Sequence, residues 1–271
     1  MFESGDYPLI SIVTPVYNGS QYIEQLIQSV LEQDYPRIEH LIIDDGSNDH
    51  GATVAILQRY PHLRWWTRPN KGQYATLNEG LLAAGGEIFT TISADDWYAG
   101  PTAVGSIMDL WRQRRQYDGI CGRYIVADAQ GHPLSRPTAP WRWPRSLIYY
   151  YNYLPHLALL VDRRLLLERQ IRFDESLRYS GDRDWAIQLH RSNFRICFVR
   201  PPVAYYRFHP AQLTFSGGDR ARQEWKRLLR RYNRSYLVCR MAQSASRCHY
   251  LFSKLCYCLR RGTLPKRSRK R

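Results

Sequence analysis

The sequence predicts an α/β domain with a mainly parallel central sheet flanked by helices. Three successive alternations of a strand with a helix predict this class, because each strand is a continuous apolar, β-branched run. Such strands indicate a sheet that is covered on both faces and joined by right-handed crossovers. In sheets of this kind, ligands bind outside the carboxyl ends of the strands.

The elements follow in order from the N-terminus. The run from Leu9 is a strand that breaks at Pro15 into a loop closed by Asn18-Gly19, and a helix continues from Tyr22 until shortly before Pro36. The next elements are a strand with a carboxylate-glycine turn at 38–47, a helical piece around 52–60, a short strand at 63–68, a glycine loop and helix at 70–86, and a strand at 87–93. From about Trp111 the pattern loosens into a hairpin with its turn at 129–132, a proline-broken aromatic stretch, a helix and further strands.

Polar residues follow three of these strands, in the loop Pro15–Asn18 and in the pairs Asp44-Asp45 and Asp95-Asp96. Parallel strands bring these clusters to one edge of the sheet. For Asp44-Asp45, a turn and helix cap is as good an explanation as a functional role. Asp95-Asp96 has no neutralising neighbour in the sequence, and its hard oxygen atoms suit Mg²⁺ or Mn²⁺ bound together with a nucleotide diphosphate.

The net charge of +15 is concentrated at the C-terminus. Residues 220–271 hold 17 of the 39 basic residues and a single acid, Glu224. We therefore expect a domain over 1–218 and a basic helical tail over 219–271. A basic amphipathic tail is attracted to an anionic membrane surface, and the alternative is a helix packed on the body with a disordered end. Specific nucleic-acid binding is not expected, because no reading module accompanies the charge.

Other features limit the class of protein. The N-terminus has no basic segment ahead of an apolar one, and no apolar run approaches the length of a membrane span. These observations predict a cytoplasmic protein, peripheral at the inner face of the membrane if the tail binds lipid. The six cysteines show no paired CxxC spacing, which favours reduced thiols.

Four segments occur in a specific order and spacing: SIVTPVYNGSQYIEQLIQSVLEQDYPRIEHLIIDDGSND, NKGQYATLNEGLLAAGGEIFTTISADD, FDESLRYSGDRDW and YYRFHPAQLT. Together they resemble the inverting family 2 glycosyltransferases of the GT-A fold. The resemblance covers roughly residues 9–214. It implies a nucleotide-sugar-binding half over about 1–110 and an acceptor-binding half over about 111–218.

The resemblance implies a role for each matching residue. Asp45 would bond the edge of the nucleotide base, and Asp95 would contact the ribose or sugar of the donor. Asp96 would bind the metal that bridges the two phosphates, with His209 near the metal or the diphosphate. The donor-binding residues implied are Pro15, Tyr17, Asn18, Asp45, Lys71 and Asp95. The implied cofactor is Mn²⁺ or Mg²⁺.

Asp182, in the segment GDRDW, matches the general base of the family. Asp184 matches the acid just after it, and Asp44 is a candidate supporting residue. From the residues alone, Asp182 is better explained as a helix N-cap, and a histidine such as His209 is more often structural. The tyrosines of 149–153 are compatible with an acceptor-binding wall or with core packing.

The chain departs from the family pattern at two positions. Ala94 precedes the aspartate pair where the family often has Asp-x-Asp, and Arg183 replaces a residue that is more often aromatic. Neither change removes a role that the reaction requires.

The expected function is transfer of a sugar from a nucleotide-diphosphate sugar, most simply a UDP-sugar, to an acceptor hydroxyl with inversion. The acceptor would be a sugar, a polysaccharide or a lipid-linked molecule, in surface polysaccharide or glycolipid synthesis. One alternative is a dinucleotide-dependent dehydrogenase, but its GxGxxG turn is absent from TPVYNGSQ. A second alternative is a non-catalytic lipid- or nucleic-acid-binding module driven by the tail.

Overall fold

The computed structural model describes residues 7–114, 116–138, 145–213 and 217–235. The strands of this part of the chain are β1 (Ile10–Val16), β2 (Ile38–Asp44), β3 (Arg64–Thr67), β4 (Ile88–Thr91), β5 (Trp97–Tyr98), β6 (Gly119–Ala127), β7 (Leu159–Asp162) and β8 (Ile196–Arg207). The α-helices are α1 (Ile23–Leu31), α2 (Ala52–Leu57), α3 (Gln73–Ala83), α4 (Ala103–Arg112), α5 (Arg163–Glu168), α6 (Gly181–Arg191) and α7 (Gly218–Arg231). Short 3₁₀ turns cover Arg145–Tyr149 and His156–Ala158.

The described strands form one sheet in the order β3-β2-β1-β4-β7-β6-β8-β5. The four strands β3, β2, β1 and β4 are parallel, and Ile10 pairs with both Ile38 and Ile88. This confirms the parallel strands predicted from the continuous apolar runs. Because these strands share a direction, the carboxyl ends of β1, β2 and β4 open at the same edge.

The second half of the sheet is mixed. β7 is antiparallel to both of its neighbours, β4 and β6, while β8 runs parallel to β6 and antiparallel to β5. The predicted turn after β6 is present, since the Asp128 N–H donates to the His132 carbonyl at 2.9 Å. Up to residue 138, where the described segment ends, the returning chain forms isolated bridges at Pro133 and Thr138.

Successive residues of a strand face opposite layers of helices. Ile12 and Ile42 pack in the same core cluster as buried residues of α1 and α4. Val13 and Leu41 pack in a second cluster with buried residues of α3 and α6. The sheet is therefore covered on both faces, as the uninterrupted apolar strands predict.

Helix α7 belongs to the second of these clusters. Trp225, Leu228 and Leu229 are buried in it, beside Tyr149 and Tyr153. The described part of the predicted tail is therefore packed on the body, and residues 236–271 of that tail lie outside the described ranges. The burial of the two tyrosines favours core packing over an acceptor-binding wall. No helix within the described residues is long and apolar enough to cross a membrane.

Replacement of Leu228 tests whether α7 is part of the folding unit. Leu228 is 1% exposed, and Leu228→Ala should lower the free energy of unfolding by about 2–5 kcal/mol through lost burial and a residual cavity. Urea denaturation measures this change. The control is Gln223→Ala on the exposed face of the same helix, with an expected change within about 0.5 kcal/mol. Equal stability of the two variants would contradict the packing of α7.

Candidate active site

A cavity of about 1020 Å³ opens at the carboxyl ends of β1, β2 and β4. The structure brings most of the predicted site residues to it. The predicted residues that line the cavity are Pro15, Tyr17, Asn18, Asp45, Lys71, Asp95, Asp182 and His209. Three other predicted residues, Asp44, Asp96 and Asp184, are each 1% exposed and lie outside the lining.

The loop after β1 is joined to the loop after β2. Asn18 adopts a left-handed backbone conformation with φ 52°, which asparagine tolerates. Its backbone N–H donates to Ser47 Oγ at 2.8 Å, and its side chain exchanges hydrogen bonds of 2.7 and 2.8 Å with Asn48. Tyr17, beside it on the cavity, is 49% exposed. One wall of the cavity is therefore built by two connected loops.

Asp45 organises the glycine loop that precedes α3. Its carboxylate accepts hydrogen bonds from the backbone N–H groups of Lys71 and Gly72 at 2.8 and 2.9 Å. It also forms an ion pair with Arg68. Gly72 has a φ of 94°, a conformation that favours glycine. Asp45 thus holds the loop that carries Lys71 against the cavity.

Asp44 stabilises the turn after β2. Its carboxylate accepts hydrogen bonds from the backbone and hydroxyl of Ser47 and from Thr67 Oγ1, the last at 2.7 Å. These contacts agree with the turn interpretation of this residue.

The two carboxylates after β4 lie in different surroundings. Asp95 lines the cavity, whereas Asp96 accepts a hydrogen bond from the backbone N–H of Arg207 at 2.9 Å. Asp96 Oδ2 has no hydrogen-bond partner in the part of the chain that the structure describes. Burial, and next the charge of Asp95, raises the pKa of Asp96 well above its usual value. Asp95 is therefore the carboxylate that lines the cavity, and the expected role of Asp96 as a metal ligand stays a prediction.

His209 meets Asp95 at the rim of the cavity. Its Nε2 lies 2.9 Å from Asp95 Oδ2, and its ring lies 5.0 Å from the ring of Tyr22. Gln212 Nε2 approaches the same carboxylate oxygen at 3.4 Å. An oxygen and an imidazole nitrogen fit a divalent cation such as Mn²⁺. No group of three or more His, Cys, Asp or Glu side chains within the described ranges is arranged as a metal site.

Asp182 lies in the first turn of α6, where the helix dipole favours a carboxylate. Asn152 Nδ2 donates to Asp182 Oδ2 at 3.2 Å. The preceding residue, Gly181, lies against the ring of Tyr74, and a Cβ there would be 2.5 Å from that ring. The close contact with Tyr74 explains why glycine precedes the acid.

Asp184 lies on the core side of the same helix. Its carboxylate accepts hydrogen bonds from Tyr232 Oη at 2.7 Å and from Gln188 Nε2 at 2.6 Å. Burial raises the pKa of Asp184, and these hydrogen bonds oppose the shift. Asp184 therefore supports the packing of α6 on α7 and does not reach the cavity.

His156 is a cavity residue that the sequence did not single out. It begins the 3₁₀ turn before β7, and its Nε2 lies 3.4 Å from Ser93 Oγ. Burial lowers the pKa of His156, while the nearby carboxylates of Asp182 and Asp95 oppose that shift. His156 therefore lines the same cavity as Asp95 and Asp182. A lone histidine after proline carries no signal that would have distinguished it from a structural residue.

The comparisons with known proteins agree with this architecture. The family model Glycosyl transferase family 2 matches residues 11–166. The chain belongs to glycosyltransferase family 2. An uncharacterized glycosyltransferase of Rickettsia typhi is 32% identical over 215 residues, which cover 76% of this chain and 66% of that relative. The uncharacterized glycosyltransferase EpsJ of Bacillus subtilis is 26% identical over 226 residues, covering 76% of this chain and 63% of that protein. The chain thus spans less than two thirds of each of these two relatives.

Solved structures of glycosyltransferases share the fold. Residues 1–349 of TarS of S. aureus, in complex with UDP, superpose with a TM-score of 0.60 at 21% identity, over 74% of this chain and 61% of that 1–349 chain. The mannosyltransferase PcManGT of Pyrobaculum calidifontis, in complex with GDP-Man and Mn²⁺, gives a TM-score of 0.55 at 21% identity, over 74% of this chain and 57% of that chain. The GT-A fold expected from the sequence is confirmed.

The raised pKa of Asp184 has a consequence for stability in this family 2 chain. A carboxyl group that holds its proton more tightly when folded contributes stability at low pH, and this contribution is lost as the pH rises through the folded pKa. The stability advantage of wild type over Asp184→Asn should therefore shrink as the pH rises above about 4, the ordinary pKa of an aspartyl carboxyl. Urea unfolding of both proteins at a series of pH values above this one measures it. A difference that is constant or grows with pH would contradict the shift.

Proposed function

We propose that the chain is an inverting glycosyltransferase that moves a sugar from a nucleotide-diphosphate sugar to an acceptor hydroxyl with the help of a divalent ion. The observation that carries the proposal is that one cavity contains the Asp95–His209 pair, the linked loops after β1 and β2, and the carboxylate of Asp182. Membership of family 2 supports it. TarS with UDP or UDP-GlcNAc, and PcManGT with GDP-Man and Mn²⁺, support a nucleotide-sugar donor.

Within this proposal, Asp95 and His209 hold the divalent ion, Mn²⁺ or Mg²⁺. Such an ion supplies positive charge that stabilises the departing diphosphate. Asp96 supports this arrangement from behind, because its carboxylate binds the backbone at Arg207, where the strand that leads to His209 ends.

The nucleotide occupies the wall formed by the loops after β1 and β2. Tyr17 and Asn18 present an aromatic ring and a polar side chain at this wall, and Lys71 supplies a cation near the donor. Asp45 reaches the cavity, although its oxygens already bind the glycine loop. We therefore assign it to holding this loop while its remaining lone pairs face the base.

The acceptor hydroxyl approaches Asp182. Inversion requires attack from the face opposite the departing diphosphate, with a carboxylate within hydrogen-bond reach to take the hydroxyl proton. Asp182 lies at the start of a helix, on the cavity, with Asn152 orienting its Oδ2. It remains a prediction that the acceptor is a sugar, polysaccharide or lipid-linked molecule in surface polysaccharide or glycolipid synthesis. It also remains a prediction that residues 220–271 contact an anionic membrane.

A thermal-shift screen tests the donor and the metal together. UDP, UDP-GlcNAc, GDP and GDP-Man are added with and without Mn²⁺ to wild type, Asp95→Asn and the matched control Asp96→Asn. A ligand of the native state at 100 times its Kd adds about 2.7 kcal/mol of stability. We expect a Mn²⁺-dependent rise in melting temperature for wild type and Asp96→Asn, and none for Asp95→Asn.

Two outcomes of this screen would count against the proposal. A Mn²⁺-dependent rise in melting temperature that survives in Asp95→Asn and disappears in Asp96→Asn would indicate that Asp96, and not Asp95, binds the metal. Absence of any rise with all four nucleotides in wild type would speak against a nucleotide-sugar donor of these classes.

Replacement of Asp182 separates chemistry from donor binding. Asp182→Asn should lower release of the nucleotide from the donor by roughly 10²–10⁴-fold, because the proton acceptor is lost. The melting-temperature rise given by the donor should stay as in wild type. Asn152→Ala is the matched control and should cause a smaller loss, because it removes only an orienting hydrogen bond. Full activity of Asp182→Asn would exclude it as the general base.

A further inference from the structure

Glu224 is a buried acid in a basic helix. It is 4% exposed, and it is the single acid among residues 220–271. Its carboxylate accepts three backbone hydrogen bonds of 2.8 Å, from the N–H groups of the consecutive residues Arg178, Tyr179 and Ser180. Consecutive backbone N–H groups form an anion-binding concavity, and here the anion is a side chain of the chain itself.

The segment 178–180 leads directly into the first turn of α6. Arg178 and Tyr179 line the cavity on the side of Asp182. Ser180 is the residue before α6, so the hydrogen bond from its N–H to Glu224 fixes the point at which the helix begins. Glu224 therefore holds the chain at Ser180, two residues before Asp182.

Helix α7 contacts α6 on both sides of Asp182 in the sequence. The Arg183 guanidinium lies 3.9 Å from the ring of Trp225, and Tyr232 donates to Asp184 at 2.7 Å. The Glu224 contact holds the residue before the helix. Asp182 itself faces the cavity between these contacts. The first turn of α6 is thus held from behind by a helix that is anchored in the core.

We propose that Glu224 is a positioning residue for Asp182, and that α7 sets the acceptor side of the site through it. The inference rests on the proposed function and deepens it, because it names a residue that supports Asp182. That residue lies on α7, outside the matched family region 11–166. Within the described residues, the hydrogen bonds of Glu224 all go to 178–180. None of them involves the Asp95–His209 pair or the loops after β1 and β2. Loss of the Glu224 carboxylate should therefore impair proton removal and leave nucleotide binding intact.

Glu224→Gln is the variant that tests this role. Its amide NH₂ cannot accept a hydrogen bond, so at least one of the three N–H groups loses its partner. Gln223→Ala, on the exposed face of the same helix, is the matched control. Asp182→Asn and the double variant Asp182→Asn/Glu224→Gln complete a double-mutant cycle.

Three measurements are made on the full-length chain below the melting temperature of every variant. Hydrogen exchange reports the amides of 178–180, nucleotide release from the donor found by the thermal-shift screen reports chemistry, and Mn²⁺-dependent stabilisation by that donor reports binding. In Glu224→Gln we expect faster exchange at 178–180 and roughly a tenfold to hundredfold slower release. Donor binding should be unchanged, and the double variant should be no slower than Asp182→Asn alone.

The outcomes distinguish this inference from the proposed function. Three outcomes would each overturn the positioning role while leaving the glycosyltransferase proposal in place. They are nucleotide release by Glu224→Gln at the wild-type rate, additive losses of that rate in the double variant, and weakened donor binding by Glu224→Gln. Absence of nucleotide release from the wild-type chain, with exchange at 178–180 still dependent on Glu224, would instead reject the proposed function and the catalytic part of this inference together.

Discussion

The geometry of the cavity depends on a buried cation, Arg207, which is 2% exposed. Its Cζ lies 4.4 Å from the ring centre of Tyr22 and 4.3 Å from that of Trp97. The guanidinium donates to three acceptors on separate segments: Gln25 Oε1, the Asp95 carbonyl and the Ala129 carbonyl. Burial lowers the pKa of Arg207, yet a guanidinium remains charged in proteins, so its charge must be compensated locally.

Arg207 contacts both of the aspartates that follow β4. Asp96 lies near Arg207 and accepts a hydrogen bond from its backbone, while the guanidinium binds the peptide carbonyl of Asp95. The Asp95 carboxylate is left to meet His209 at the cavity. Asp96 therefore binds the backbone of Arg207 while Asp95 faces the cavity, and the roles expected of the two acids toward the donor and its metal stay predictions. Repulsion between them contributes to the raised pKa of Asp96.

The sequence predicted the parallel half of the fold because the cause is local. A strand buried on both faces needs mainly apolar or β-branched residues, and these residues dominate β1, β2 and β4. The insertion of β7 between β4 and β6 was not predictable, because pairing of such a short strand is decided by packing and not by its own residues. The same holds for Tyr149 and Tyr153, whose composition fits a cavity wall as well as the core in which they lie.

The sequence predicted which residues come near the site better than it predicted which of their side chains face the cavity. Most of the residues identified from the resemblance line the cavity, since strand ends bring them together. Which of Asp95 and Asp96 faces that cavity depends on the position of Arg207, 112 residues from Asp95 along the chain. Glu224 looks like an ordinary solvated acid in a basic helix, and only the packing of α7 shows what it binds.

The mixed half of the sheet completes the cavity and is not merely attached to the parallel half. β8 pairs with β5 at Trp97 and Tyr205, whose rings stack 4.7 Å apart, and the same strand ends at Arg207 just before His209. One strand therefore positions both the peptide of Asp95 and its histidine partner. Because these contacts join residues more than 100 positions apart, the Asp95–His209 pair can form only after the two halves of the sheet have docked.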